Sequence, residues 1–279
     1  MDPREIAEQI WPARQAEIEP LGGGITNHNY KVLVDGAAYV IRIGGRDTEL
    51  LGIDRGAERE ASESAAALGI GPEVVAFVDG CLVTRFLDGE KGRAGAVETG
   101  VLLRSLHEGP PLAAVFDPFR VVEAYAATAS ARGVAPPPAY GRARELGARI
   151  EQRSRRPALR PCHNDLLAAN FVHDGERLWL VDWEYAGMGD PYFDLANFAV
   201  NNGLDADGER ALLHAYGGGD PDALALMRFM SDFREAMWGV VQQGISELDV
   251  DFRGYAEEHF ERLERTAADP RFRQALTGP

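Results

Sequence analysis

The sequence predicts an α+β protein in which an antiparallel β-sheet, carrying one helix, precedes a mainly helical half. Three observations predict it. Between Ala16 and Leu87, short runs rich in β-branched and aromatic residues alternate with glycine turns and Asp-Gly pairs, the signature of hairpins. From Ala94 onwards, apolar residues recur at helical spacing. The change of texture falls at Phe86–Gly89, so the expected division is residues 1–87 and 88–279.

The elements follow in order. "DPREIAEQI" reads as a short helix with Asp2 as N-cap and Pro3 in its first turn. "AEIEPLGGGITNHNYKVLVDGAAYVIRIGG" reads as strand, glycine turn, strand, Asp-Gly turn and strand. "DRGAEREASESAAAL" is a helix that stops at Gly69, and "EVVAFV" and "CLVTRFL" are strands joined by Asp79-Gly80. Helices are expected over Ala94–Leu106, Pro118–Ala131 and Tyr140–Arg153, then two short strands around "FVHDGERLWLV", then helices almost to the end.

Composition narrows the function classes. The formal charge is −15, with only Lys31 and Lys91 as lysines, which argues against a general nucleic-acid surface. A cationic small molecule would find this field favourable, whereas a polyanion needs local help. Cys81 and Cys162 are the only cysteines, so no disulfide framework or cysteine-rich metal site is expected. The N-terminal residues lack a signal-peptide pattern, and no apolar run approaches the roughly 20 residues that span a bilayer. A cytoplasmic protein without membrane insertion is expected.

Three stretches carry candidate chemistry. In "LGGGITN", Gly22, Gly23 and Gly24, followed by Thr26 and Asn27, would let backbone N–H groups approach an anion. The plainer reading is a flexible hairpin turn, and no Rossmann pattern supports more. In "YVIRI", alternation puts Val40 and Arg42 on the face opposite Tyr39, Ile41 and Ile43. Arg42 there could hold phosphates with Glu58 fixing its direction, or both could be ordinary surface charges.

The third stretch is "CHNDLLAANFVHDGERLWLVDWEY". Asp165 lies two residues after His163 and five before Asn170, and Asp182 follows the strand-like "LWLV". This order suits phosphoryl transfer. Asp165 would accept the proton of an attacking hydroxyl, and Asn170 and Asp182 would supply the oxygen ligands that Mg²⁺ prefers. Singly, each could be a loop cap or turn residue. His163 reads as a brace for the loop. A metallohydrolase using His163, Asp165, His173 and Asp182 is the rival, but "HDG" reads as a hairpin turn that would point His173 away.

These residues resemble the choline/ethanolamine kinase family within the aminoglycoside phosphotransferase superfamily. The likeness runs from "GGGITN" through "YVIRI" and "LVTRFLDG" to "HNDLLAANFV…LVDWEYAGMGDPYFDLANF" and "MWGVVQQGISELD…YA". It implies a two-lobed, protein-kinase-like fold using ATP and Mg²⁺, with residues 1–87 as the nucleotide-binding lobe and 88–279 as the catalytic and acceptor-binding lobe. Asp165 matches the catalytic aspartate, Asn170 and Asp182 the metal ligands, and Asp194 an acid bracing the catalytic loop. Arg42 matches the phosphate-contacting basic position and Glu58 its helix partner. Thr84 to Leu87, with Phe86 among them, match the adenine-binding hinge.

Two positions depart from the choline kinase pattern. Asn201 stands where an acid usually faces the substrate ammonium, and Glu235 stands where a tryptophan is frequent. The resemblance places Trp238 and Tyr255 at the acceptor site, and Glu235, one turn before Trp238, could replace the charge that Asn201 lacks. The expected activity is phosphorylation of a hydroxyl on a small acceptor, a cationic amino alcohol such as choline or ethanolamine. An aminoglycoside or another hydroxylated metabolite is the alternative acceptor, and a catalytically silent nucleotide-binding module the remote one.

Overall fold

The computed structural model describes residues 1–22, 27–92, 94–154 and 158–278. Helix α1 (Pro3–Ile10) leads into strands β1 (Ala16–Leu21), β2 (Asn27–Val34) and β3 (Ala37–Gly44). Helix α2 (Arg55–Ala67) follows, then β4 (Val74–Val78) and β5 (Cys81–Arg85). The five strands form one antiparallel sheet in the order β1-β2-β3-β5-β4. Two of its hairpins turn on Asp35-Gly36 and Asp79-Gly80. All four residues have positive φ, between 50° and 80°, as the tight turn matching strand twist demands.

Side-chain alternation then sorts β3. Ile41 and Ile43 enter a core with Val32, Val34, Val83 and Ile6 of α1. Val40 and Arg42 face the other way, into a cleft.

Beyond the sheet come β6 (Glu90–Lys91), α3 (Ala96–His107), α4 (Pro118–Ala131) and α5 (Tyr140–Arg153). Short strands β7 (Arg160–Cys162), β8 (Phe171–His173), β9 (Leu178–Leu180) and β10 (Gly187–Gly189) carry the loops of interest. Helices α6 (Pro191–Asn201), α7 (Ala206–Tyr216), α8 (Pro221–Ile245), α9 (Phe252–Ala268) and α10 (Pro270–Thr277) complete the chain. Helix α3 starts two residues later than expected, because Gly95 is extended and acts as its cap. At Gly89 the connection between halves passes so close to β8 that a Cβ would lie 2.5 Å from the carbonyl oxygen of His173.

Aspartate side chains cap α1, α2, α4 and α6 to α10, each accepting at least one backbone N–H of the first turn. Such a cap contributes about 1 kcal/mol. Part of the acidity therefore serves helix ends, and the net charge says less about ligands than its size suggests.

The larger core centres on α8, whose residues from Ser231 to Gln242 are buried on every side. Helix α9 approaches it at Gly239, where a Cβ would sit 2.9 Å from Cδ1 of Tyr255. Ala61 and Ala65 of α2 also pack into this larger core, with Leu51, Ile53 and Ile70. By packing, α2 thus bridges the sheet to the helical half. Among the described residues, no helix is long and apolar enough to cross a membrane.

Candidate active site

The loop after β7 is held from α6. Both carboxylate oxygens of Asp194 accept backbone hydrogen bonds, from His163 N (2.8 Å) and Asn164 N (2.7 Å). His107 Nε2 lies 3.0 Å from the same carboxylate. One turn on, Asn197 Oδ1 accepts from Leu166 N at 2.5 Å. Asn164 has φ +66°, a conformation asparagine tolerates better than most residues.

The His163 ring stays neutral because burial lowers its pKa. Its Nδ1 accepts from Asp165 N, and Nε2 donates to the carbonyl of Val181. His163 and Asp194 thus hydrogen-bond the backbone on both sides of this loop. His107, Cys162 and Asp194 bring potential ligand atoms within 4.8 Å of one another. Both oxygens of Asp194 and both ring nitrogens of His107 are already hydrogen-bonded, and burial holds the Cys162 thiol well above its ordinary pKa. The cluster is a brace by chemistry. Asp194→Ala would strand several buried donors at about 1–3 kcal/mol each, so urea unfolding should show a loss of about 3–5 kcal/mol.

Asp165 is buried, with one oxygen 3.1 Å from Arg234 Nη1 and the other 3.3 Å from Asn170 Nδ2. Burial is the main cause that raises its pKa to about 7; Arg234 opposes the rise, and Glu235 and Asp182 add to it. A carboxylate near that value is poised to take a proton at neutral pH. Asn170 ends a single 3₁₀ turn, Ala168–Asn170, and spends its Nδ2 on Asp165, leaving Oδ1 on the opposite side.

Asp182, two residues past β9, has φ +72° and is partly exposed. Burial would raise its pKa, but the Arg42 guanidinium outweighs that and holds it below the ordinary value. Arg42 Nη1 bonds Asp182 Oδ1 and also Glu58 Oε1, 3.1 Å away. Glu58 is thereby fixed from two sides, since Arg55 Nη1 reaches its other oxygen at 2.7 Å. The expected Arg42–Glu58 pair is present, and it is not a solvated surface pair.

Arg42, Glu58, Asn170 and Asp182 line a cleft of about 210 Å³ between the sheet and the loops, and Asp165 touches it only through Asn170. Val40, Leu82 and Phe86 meet Val172 and Val181 across it, with Thr84 on the strand beside Val40. Gly22 stands at its edge, whereas Gly23, Gly24 and Thr26 lie outside the described residues. Asn27 is buried and donates to Glu184 Oε2 at 2.7 Å. Apolar walls suit a flat base, and the hard oxygens of Asn170 and Asp182 beside Arg42 suit a metal and phosphates. A larger cavity, about 680 Å³, lies among α8, α9 and α10 and contains none of these residues.

The rival set does not converge. His173 is part-exposed beside Glu98, at 3.4 Å, while His163 is committed to Val181 and Asp165.

The acceptor candidates are only partly assembled. Trp238 and Tyr255 meet edge to face with centroids 5.5 Å apart, and Tyr255 donates to Glu235 Oε2 at 2.8 Å. Asn201 ends α6 with its Nδ2 buried, and no hydrogen bond or ion pair joins it to those three among the described residues. Glu235, whose charge was expected to stand in for the one Asn201 lacks, is shared with a second partner, for its other oxygen lies 2.5 Å from Arg234 Nη1 and the side chain is 3% exposed.

Sequence reasoning missed Arg234, Arg55 and Glu184. Arg55 and Glu184 were legible only as charges near a motif. Arg234 sits beside Glu235 on α8, and a helix buried all round offers no apolar stripe from which to single it out.

Residues 17–228 match the family described as "Phosphotransferase enzyme family". Protein LicA of Haemophilus influenzae is 29% identical over 210 residues, covering 70% of this chain and 61% of that protein. The chain thus spans less than two thirds of that relative's length. A choline/ethanolamine kinase family protein from Mesorhizobium loti superposes with TM-score 0.82 at 28% identity, covering 98% of this chain and 97% of the other. Choline kinase LicA from Streptococcus pneumoniae gives TM-score 0.81 at 22% identity, covering 95% and 98%. The two-lobed, kinase-like α+β fold expected from the sequence is the fold observed.

Proposed function

Since the chain belongs to the phosphotransferase enzyme family, and within it to the choline/ethanolamine kinase kind, we propose that it transfers the terminal phosphoryl group of ATP to the hydroxyl of an amino alcohol such as choline or ethanolamine. The observation that carries the reading is the convergence of Asn170, Asp182 and Arg42 on an apolar cleft, with Asp165 hydrogen-bonded to Asn170 beside it. In this reading residues 1–87 bind the nucleotide and 88–279 supply catalysis and the acceptor site, in the cytoplasm.

The chain's own groups have distinct tasks. Asp165 takes the proton from the attacking hydroxyl at its carboxylate, which Asn170 and Arg234 hold in place. Val40 and Phe86 pack against the base, and Arg42 directs its guanidinium at phosphate oxygens from a fixed position over Glu58. Asn170 and Asp182 would hold Mg²⁺, which when bound neutralises charge on the phosphates. Trp238 and Tyr255 offer aromatic faces to a substituted ammonium, an attraction of about 0.5–2 kcal/mol. Asp165, Glu235 and Arg234 together leave one net negative charge beside them when both acids are ionised, so a cation remains the favoured acceptor.

Arg42→Ala should weaken productive nucleotide use by roughly 10-fold or more, since a charge-assisted bond to phosphate is worth about 1.5–3 kcal/mol. Steady-state kinetics with varied Mg-ATP would reveal it, with acceptor KM little changed. Equal nucleotide kinetics in both proteins would make Arg42 an ordinary strand residue.

ADP release measured with Mg-ATP across amino alcohols, aminoglycosides and neutral sugars tests the whole reading. The highest kcat/KM should fall on an amino alcohol. A best acceptor that is a neutral sugar would refute the amine site, and an aminoglycoside would favour the alternative.

A further inference from the structure

Arg234 lies in the middle of α8, 2% exposed, with its guanidinium 4.4 Å from the ring centroid of Tyr185. Its Nη1 donates both to Asp165 Oδ1, at 3.1 Å, and to Glu235 Oε1, at 2.5 Å. Glu235 in turn accepts from Tyr255. A single guanidinium nitrogen therefore connects the proton acceptor of the active site to an aromatic wall on α9.

Stability alone does not account for this arrangement. Nε and Nη2 of Arg234 are buried without hydrogen-bond partners among the described residues. Apolar residues of similar volume often replace a buried ion cluster at no loss of stability, and here two orphaned donors add to the cost. The geometry is also specific. Asp165 is gripped at both oxygens, by Asn170 on one and Arg234 on the other. Without the second grip, its carboxylate could rotate about its side-chain bonds, and a displacement of about 1 Å at a reacting group can cost about 100-fold in rate.

We propose that Arg234 is a positioning residue for the transfer reaction, holding the Asp165 carboxylate in line and tying it through Glu235 to Tyr255 at the acceptor wall. The inference rests on the phosphotransferase reading above. Arg234 needs no contact with either substrate. Its guanidinium carbon lies over the Tyr185 ring while the group bonds two acids, which a lysine ammonium reproduces only in part.

The test uses Arg234→Lys and the double variant Arg234→Met with Glu235→Gln, which avoids leaving a second buried acid unpaired. In the double variant, kcat should fall about 100-fold, while KM for Mg-ATP stays within about threefold because no nucleotide contact is touched. Arg234→Lys should recover at least about tenfold of that loss, one donor being kept. A folded double variant with kcat within about threefold of the parent would overturn the proposal. So would a loss in which kcat, nucleotide affinity and melting temperature all fall together. A crystal structure of the double variant decides placement without any acceptor. The Asp165 carboxylate should leave Asn170, and an unmoved carboxylate would overturn the proposal. If the parent protein itself releases no ADP with any alcohol, the phosphotransferase reading falls, and the crystallographic arm alone judges Arg234.

Discussion

Asp165→Asn should lower turnover by about 10²–10⁴-fold, the range that a positioned acid or base contributes. An amide of the same shape keeps the packing and can still accept from Arg234, but it cannot take a proton. The nucleotide cleft is lined by other residues, so Mg-nucleotide affinity should change little. Stopped-time assays of ADP release, beside calorimetric titration with Mg-ADP, separate the two quantities. Near-normal turnover in a folded variant would remove Asp165 from the mechanism.

Asp182→Ala should have the second large effect, on binding. In the parent the carboxylate faces the cleft and is kept ionised by Arg42, as a ligand for a hard cation must be. Its loss should exceed the roughly 10–100-fold in metal affinity that even an outer partner of a ligand is worth. Titrating ADP with and without Mg²⁺ should show a metal-dependent gain in the parent and almost none in the variant. If Mg²⁺ strengthens binding equally in both proteins, Asp182 holds no metal.

Much of the fold was legible because local signals agreed. The Asp-Gly turns, the period-two alternation at Tyr39–Ile43 and the Asp2-Pro3 helix start each named an element that is present. Strands β6, β7 and β10 were not legible, since two or three residues cannot display a period. Nor was the packing of α2 into the larger core, which depends on contacts distant in sequence.

The site divides the same way. Asp165, Asn170 and Asp182 lie within one short stretch, where spacing is informative. Arg234 and Glu184 act through partners 69 and 157 residues away, and nothing local distinguishes them from ordinary charges. Glu235 was legible beside Trp238, but its pairing with the neighbouring Arg234 was not, because adjacent residues on a helix give no sign that they meet.

The central claim is that this chain moves a phosphoryl group from ATP to an alcohol, with Asp165 taking the proton. Its most direct test is mass spectrometry of a reaction containing Mg-ATP and the best amino alcohol of the panel, run with the parent protein and with Asp165→Asn. The account predicts phosphorylated alcohol and ADP in equal amounts from the parent, and neither at a comparable rate from the variant. ADP with inorganic phosphate and unmodified alcohol, or equal product from both proteins, would contradict it.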